Sequence, residues 1–216
     1  KGLLKRGEIG SFSFTDEKTL KKYQTCFTAD EKERNHSLIA ALLIKDYPDS
    51  PQKAELLAPH LLNIFNSIEG CDWLLKAARI FQSDFKTEKA IACYVKILND
   101  LSGLHQEGAD GLFCDAAIEY AKLNTARNDV KKVTSILEEA MFRAKNIRNQ
   151  RYQSMINMNF AKNKWLQSQY KSAQSHFEQA WKLADELGDE TLMRSIANFK
   201  TFLLYWQGRF KDVVQD

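Results

Sequence analysis

The sequence predicts an all-α protein, a stack of antiparallel helix pairs preceded by one small strand-like segment. Three observations predict it. A pattern recurs every forty residues: Val130, Val133, Leu137 and Ala140, then Tyr170, Ala173, Phe177 and Ala180, then Phe210 and Val213. The same register holds upstream, where Ala121, Ala161 and Thr201 are small and Ala116, Ile156 and Ile196 are apolar. Short polar breaks, Asn128-Asp129, Ser168-Gln169 and Gly208-Arg209, precede each second helix. The third observation is composition: only three prolines and nine glycines occur in 216 residues, and aliphatic and charged residues alternate at helical spacing. Self-similarity at a fixed period marks a stacked repeat, in which no helix pair can bury its apolar face alone.

The elements follow in order. Residues 1–15 are the strand-like piece, since Phe12 and Phe14 alternate with Ser11, Ser13 and Thr15 after a turn signal from Gly7 to Gly10. A short helix is expected over 17–27. Asp30 with Glu33 has capping-box spacing and opens the next helix, which carries Leu38, Ala41 and Leu42 on one side and runs to about Asp46. Tyr47-Pro48-Asp49-Ser50-Pro51 stops it, because proline cannot continue a helix, and marks the best internal boundary. Helices are then expected at 51–66, 71–83, 87–101, 110–126, 130–147, 149–167, 171–187 and 189–207. Ser102 to Asp110 is the longest linker. Gly188 suits the left-handed residue after a helix, and Asp189 suits the cap of the next. Small residues at Ala121, Ala140, Ala161 and Ala180 let helix axes approach to about 8–10 Å, while Leu137, Phe177 and Leu183 fill the space between pairs.

This pattern resembles the tetratricopeptide repeat, with residues 154–187 as the clearest copy: Phe160, Ala161, Tyr170, Ala173, Phe177 and Ala180. The forty-residue period is longer than that family's usual unit of about 34. The longer second helix, ending in Lys182-Leu183-Ala184-Asp185-Glu186-Leu187-Gly188-Asp189, resembles the repeats of MalT-type transcriptional regulators and related bacterial signal-transduction ATPases of the STAND and AAA type. Upstream, Gly2-Leu3-Leu4-Lys5-Arg6, Phe12-Ser13-Phe14-Thr15-Asp16 and Arg34-Asn35-His36-Ser37-Leu38-Ile39-Ala40 resemble the end of the winged-helix piece that follows such an ATPase module. Arg34 and His36 lie two apart, a displacement from that family's run. Ala54 to His60 and Trp73 to Ala78 resemble its first helix pair. The resemblance implies a division into 1–47, the C-terminal part of a winged-helix-like segment, and 48–216, tetratricopeptide-like repeats. The chain starts at Lys1 and stops just after the third copy begins, so a fragment of a longer protein is expected. The uncovered face of the last helix would favour self-association through that end.

Chemistry is sparse. The four histidines, His36, His60, His105 and His176, form no helical i, i+4 ligand pair with another His or a Cys. His36 suits packing or capping, and His176 is expected on the surface. The cysteines, Cys26, Cys71, Cys93 and Cys114, make no Cys-x-x-Cys pair and suit free buried thiols in a reducing, cytoplasmic setting. No phosphate-binding Gly-rich loop with Lys-Ser/Thr occurs, so no cofactor is expected and no enzymatic activity is assigned. No apolar run is long enough to span a membrane.

Two features suggest binding. From Ala140 to Phe177 no acidic residue occurs, while Arg143, Lys145, Arg148, Arg151, Lys162, Lys164 and Lys171 do. Arg143, Lys145, Arg148 and Arg151 are therefore a candidate basic patch, or else cations pointing several ways around two helices. A net charge of +3 makes direct nucleic-acid binding the least favoured use. In tetratricopeptide proteins the first helix of each pair lines the concave groove. The resemblance then puts Lys122, Asn159, Lys162 and Asn198 in that groove, as a candidate site for a protein or peptide ligand. Asn offers a donor and an acceptor to a peptide bond, and Lys a charge to a carboxylate. The expected function is a non-catalytic ligand- or protein-binding scaffold, the sensor region of a larger bacterial signal-transduction or transcription regulator with an ATPase module as neighbour. The alternative is a stand-alone adaptor that recognises an acidic C-terminal tail.

Overall fold

A computed structural model of the chain describes residues 4–6, 12–14, 26–124, 130–206 and 208. They divide into two compact units, Lys1–Phe65 and Asn66–Asp216. The third copy at Phe210 and Val213, the break Asn128-Asp129 and nearly all of the expected helix over 17–27 lie outside the described residues.

In the first unit, strands β1 (Leu4–Arg6) and β2 (Phe12–Phe14) pair antiparallel, with Leu4 opposite Phe14. Helix α1 (Ala29–Asp46) follows. Its capping box is Thr28 with Glu31, two residues before the expected Asp30 and Glu33. Thr28 is extended (φ −65°, ψ 167°) and its hydroxyl accepts from the Glu31 amide at 3.2 Å, while Glu31 Oε2 accepts from the Thr28 amide at 2.8 Å. Asp30 instead sits in the first turn, where a carboxylate favours the positive end of the helix. The side carrying Leu38, Ala41 and Leu42 is exposed, and Ala40 is the buried residue of α1.

Pro51 sits in the first turn of α2 (Pro51–Leu61), with Ser50 as cap. The turn Tyr47–Ser50 joins α1 to α2 inside this unit. Lys53 is buried, and its ammonium donates to the carbonyls of Ile44 and Tyr47 at 2.7 and 2.8 Å and to Asp49 at 2.8 Å. It thereby ties α2 to the end of α1, where a cation is also favoured by the helix dipole. α2 ends at Leu61 rather than at 66, and the Asn63 amide donates to the Pro59 carbonyl at 2.7 Å beyond that end.

The second unit holds α3 (Ile68–Ser83), α4 (Thr87–Asp100), α5 (Glu107–Asn124), α6 (Val130–Asn146), α7 (Gln150–Leu166), α8 (Tyr170–Glu186) and α9 (Glu190–Trp206). α3 and α5 start three residues earlier than expected; for α3, the Ser67 hydroxyl accepts from the Gly70 amide. Each helix packs on the next in sequence where both are described, and α3 also touches α5 as α5 touches α7. First helices of successive pairs therefore lie side by side, the arrangement that curves a stack of pairs toward its first-helix face.

The forty-residue period has a simple mechanical origin. The last four helices are 17 residues each. Each ends with a left-handed residue twenty positions after the last: Arg148 (φ 52°), Ser168 (φ 59°), Gly188 (φ 65°) and Gly208 (φ 69°). The next amide then bonds back to the carbonyl five residues before it, Asn149 to Ala144 at 2.9 Å, Gln169 to Lys164 at 3.0 Å and Asp189 to Ala184 at 3.0 Å, the Schellman closure. Side chains repeat with the backbone. Ser154 donates to the Ala180 carbonyl at 2.7 Å, and forty residues earlier Cys114 donates to the Ala140 carbonyl at 3.4 Å. The expected small positions Ala121, Ala140, Ala161 and Ala180 are all buried. Phe177, Met158, Leu192 and Ile196 fill the core among α7, α8 and α9.

Candidate functional site

Within the second unit, polar side chains link one helix to another. Tyr94 on α4 donates to Gln82 on α3 at 2.9 Å, and Gln82 donates to Glu119 on α5 at 3.3 Å. Glu119 pairs with Lys122 one turn on, at 2.6 Å. Forty residues after Lys122, Lys162 on α7 sets its ammonium 4.3 Å above the Phe199 ring of α9. A parallel ladder runs from Arg79 (α3) to Asp115 (α5) at 3.3 Å and on to Tyr152 (α7), which hydrogen-bonds Asp115. Burial, above all, raises the Asp115 carboxyl and pushes the Tyr152 phenol to about 12.

Lys162 is the electrostatically unusual member. Burial first, then the Lys122 charge, lowers its ammonium to about 8, with Glu119 opposing. Among the described residues no carboxylate forms an ion pair with it. Two cations thus share one carboxylate, and the negative face of Phe199 supplies part of the missing compensation.

The expected groove residues separate under the structure. Lys122 and Lys162 come together. Asn198 is exposed on α9. Asn159 is buried, its amide donating to the Met155 carbonyl at 2.8 Å, and it lines a cavity of about 10 Å³ with Asn124 and Asn163. A helical Asn that bonds back one turn and has no open surface is not presented to a ligand.

The expected basic patch is corrected at Arg143, which is fully buried. Its Nε donates to Glu139 at 2.7 Å and its terminal nitrogens to Asp110 and to the carbonyls of Leu101, Ser102 and Leu104 at 2.8–3.1 Å. All five guanidinium N–H groups are engaged, over the Phe113 ring. Lys145, Arg148 and Arg151 are exposed, and Arg151 pairs with Asp189 at 2.9 Å. Asp189 caps α9 by accepting from the Leu192 amide; that bond, then Arg151, holds its carboxyl below the usual range.

His176 is half-buried rather than on the surface. Its ring stacks on Phe160 with centroids 5.1 Å apart, and Nδ1 meets Asn157 Oδ1 at 3.0 Å. His36 and His60 approach through their Nδ1 atoms at 2.9 Å, linking α1 to α2. Cys71, Cys93 and Cys114 are buried thiols pushed to about 12 by desolvation, while Cys26 is exposed. Among the described residues no cluster of three metal-ligating side chains occurs, and no helix is long and apolar enough to cross a membrane.

Glu119 and Gln82 were missed at the sequence level. Their only signal was a spacing of 37 residues, which does not match the period.

The geometry defines the class: a tetratricopeptide-like, all-helical repeat with a small N-terminal strand pair. A solved structure titled as Rap protein complexed with competence and sporulation factor is similar over 92% of this chain and 55% of its own, with 14% identity and a TM-score of 0.58. This chain therefore spans about half the length of that protein. ComR from S. thermophilus, solved in complex with DNA and its signalling peptide ComS, is matched over 88% of this chain and 77% of its own, with 14% identity and a TM-score of 0.47. No family model and no curated protein sequence matches the chain.

Proposed function

We propose that this chain is a non-catalytic repeat scaffold that binds a peptide or protein ligand along its first-helix face. In this reading it is the sensor region of a larger cytoplasmic bacterial signal-transduction or transcription regulator. The observation that carries the reading is the charge imbalance at Glu119, Lys122 and Lys162, where two ammonium groups share one carboxylate. A ligand carboxylate would complete the set, and a desolvated cation gains more from such a partner than an exposed one. The Rap protein of similar fold was solved in complex with competence and sporulation factor. We bring a bound signalling partner to this chain on that likeness. The MalT-type resemblance adds an ATPase module, whose equilibrium the bound ligand would bias by its differential affinity.

The test is a titration of acidic peptides against the parent chain, Lys122→Met and Lys162→Met. Each substitution should weaken binding about tenfold or more. Equal affinity for all three chains would remove the carboxylate site.

The stand-alone adaptor for an acidic C-terminal tail is supported by the same lysine pair. Amidating the peptide's C-terminus separates a terminal carboxylate from a side-chain one. The full reading frame separates the two proposals: a nucleotide-binding module before Lys1 supports the regulator, and its absence supports the adaptor.

A further inference from the structure

The opposite side of the same unit carries a site that the peptide reading does not use. α5 and α7 lie against each other, whereas a groove of about 420 Å³ separates α6 from α8, with α7 as its floor. Its base is apolar and aromatic, formed by Phe160 and Leu183, with the His176 ring stacked on Phe160 at an interplanar angle of 20°. The His176 tautomer follows from its neighbours. The Asn157 amide nitrogen donates to the Gln153 carbonyl at 3.0 Å, so its oxygen faces His176 and can only accept. Nδ1 therefore carries the hydrogen, and in the neutral ring Nε2 keeps an acceptor lone pair. Lys145 stands on the α6 wall and Lys182 on the α8 wall. The one carboxylate in the lining, Glu186, lies 3.8 Å from Lys182. Among the described residues Lys145 has no acidic partner, and Lys164 adds positive charge toward His176. The lining thus sets a stacked Phe160–His176 pair beneath a cation on each wall.

We propose that this groove binds a small planar aromatic anion, its ring lying on the Phe160–His176 base and its charge between Lys145 and Lys182. The volume is near the lower end of the roughly 300–1,000 Å³ of small-molecule sites, so a ligand of about one or two fused rings fits and a dinucleotide does not. Charge complementarity selects the anion, and the stacked base selects the flat ring.

The probe is 2-naphthoate, titrated into the full chain and followed by NMR at the His176 ring and the α6 and α8 amides. Saturable one-to-one binding is expected. It should weaken about tenfold in Lys145→Glu and in Lys182→Glu, and similarly when neutral 2-naphthalenemethanol replaces the acid. Both lysines are exposed, so the fold should survive; Lys145→Gln, which removes the charge without reversing it, should give a smaller loss in the same direction. Lys162→Met should leave naphthoate binding unchanged. No saturable binding, affinity indifferent to both lysines, or loss in Lys162→Met alone would each overturn the proposal.

Discussion

The turns after residue 130 and the connection between α4 and α5 belong to one unit, yet they hold their neighbouring helices by different means. In α6 to α9 every helix has one length, and every described turn closes on a left-handed residue. Between α4 and α5 the connection runs longer, over residues 101–106. There the Asn66 amide donates to Asp100 at 2.6 Å, Lys96 pairs with the same carboxylate, and Arg143 reaches back from α6 to hold three loop carbonyls. A three-residue turn satisfies its own backbone. A longer, partly buried one needs donors from elsewhere, and a buried ion network supplies them.

The largest test of that contrast is Arg143→Met. It strands Asp110 and the loop carbonyls, and should destabilise the fold by about 3–5 kcal/mol in urea unfolding. Arg143→Lys should recover only part, because an ammonium cannot reproduce the five-donor fork. Hydrogen exchange should accelerate first over 101–110. A uniform loss across all helices would erase the distinction between the two regions.

The regular region is probed at its turns. Gly188→Ala puts a side chain at φ 65° and should cost about 1–2 kcal/mol. Ser168→Gly and Arg148→Gly should do the reverse, raising stability by roughly 0.5–1 kcal/mol each, since they remove strain at the same turn position. Thermal melts of the three variants check the opposite signs.

Lys162→Met, at the candidate site, should raise stability near neutral pH by about 1 kcal/mol, after allowance for solvent screening and the Phe199 face. Its folded-state value of about 8 lies below the ordinary 10.5, so between those values the unfolded chain holds a proton that the folded chain lacks. The parent should therefore gain stability as pH rises from about 8 toward 10.5, and the variant should lack that gain. A parent curve flat over that window would refute the desolvated ammonium. The smallest effect is expected for Cys114→Ser, which copies Ser154 one period earlier. It should change stability by less than about 1 kcal/mol, because the hydroxyl can keep the bond to the Ala140 carbonyl.

Helix order and type were readable from spacing, and so were the small buried alanines and the Asp189 cap. Boundaries were less so: Thr28 and Glu31 outcompeted an equally spaced Asp30 and Glu33, since cap choice depends on where the preceding chain becomes extended. Lys122 and Lys162 were visible as period-matched cations. Their partners were not, because Glu119 bonds Gln82 across an off-period spacing. Arg143 looked like its exposed neighbours in the acid-free stretch; nothing in a local window says that one cation faces a loop forty residues back.

The amino-acid sequence by itself determined the stack of helix pairs, through a forty-residue period that equals two seventeen-residue helices and their two three-residue turns. Local physics suffices for that, since helix length, turn closure and apolar facing are all set by near neighbours in the chain. Only the tertiary structure decided which charges are paired internally and which are not. Arg143 is consumed by a loop, Arg151 by Asp189, and Lys162 rests over an aromatic face with no ion pair among the described residues, because pairing depends on residues brought together only when the repeats stack.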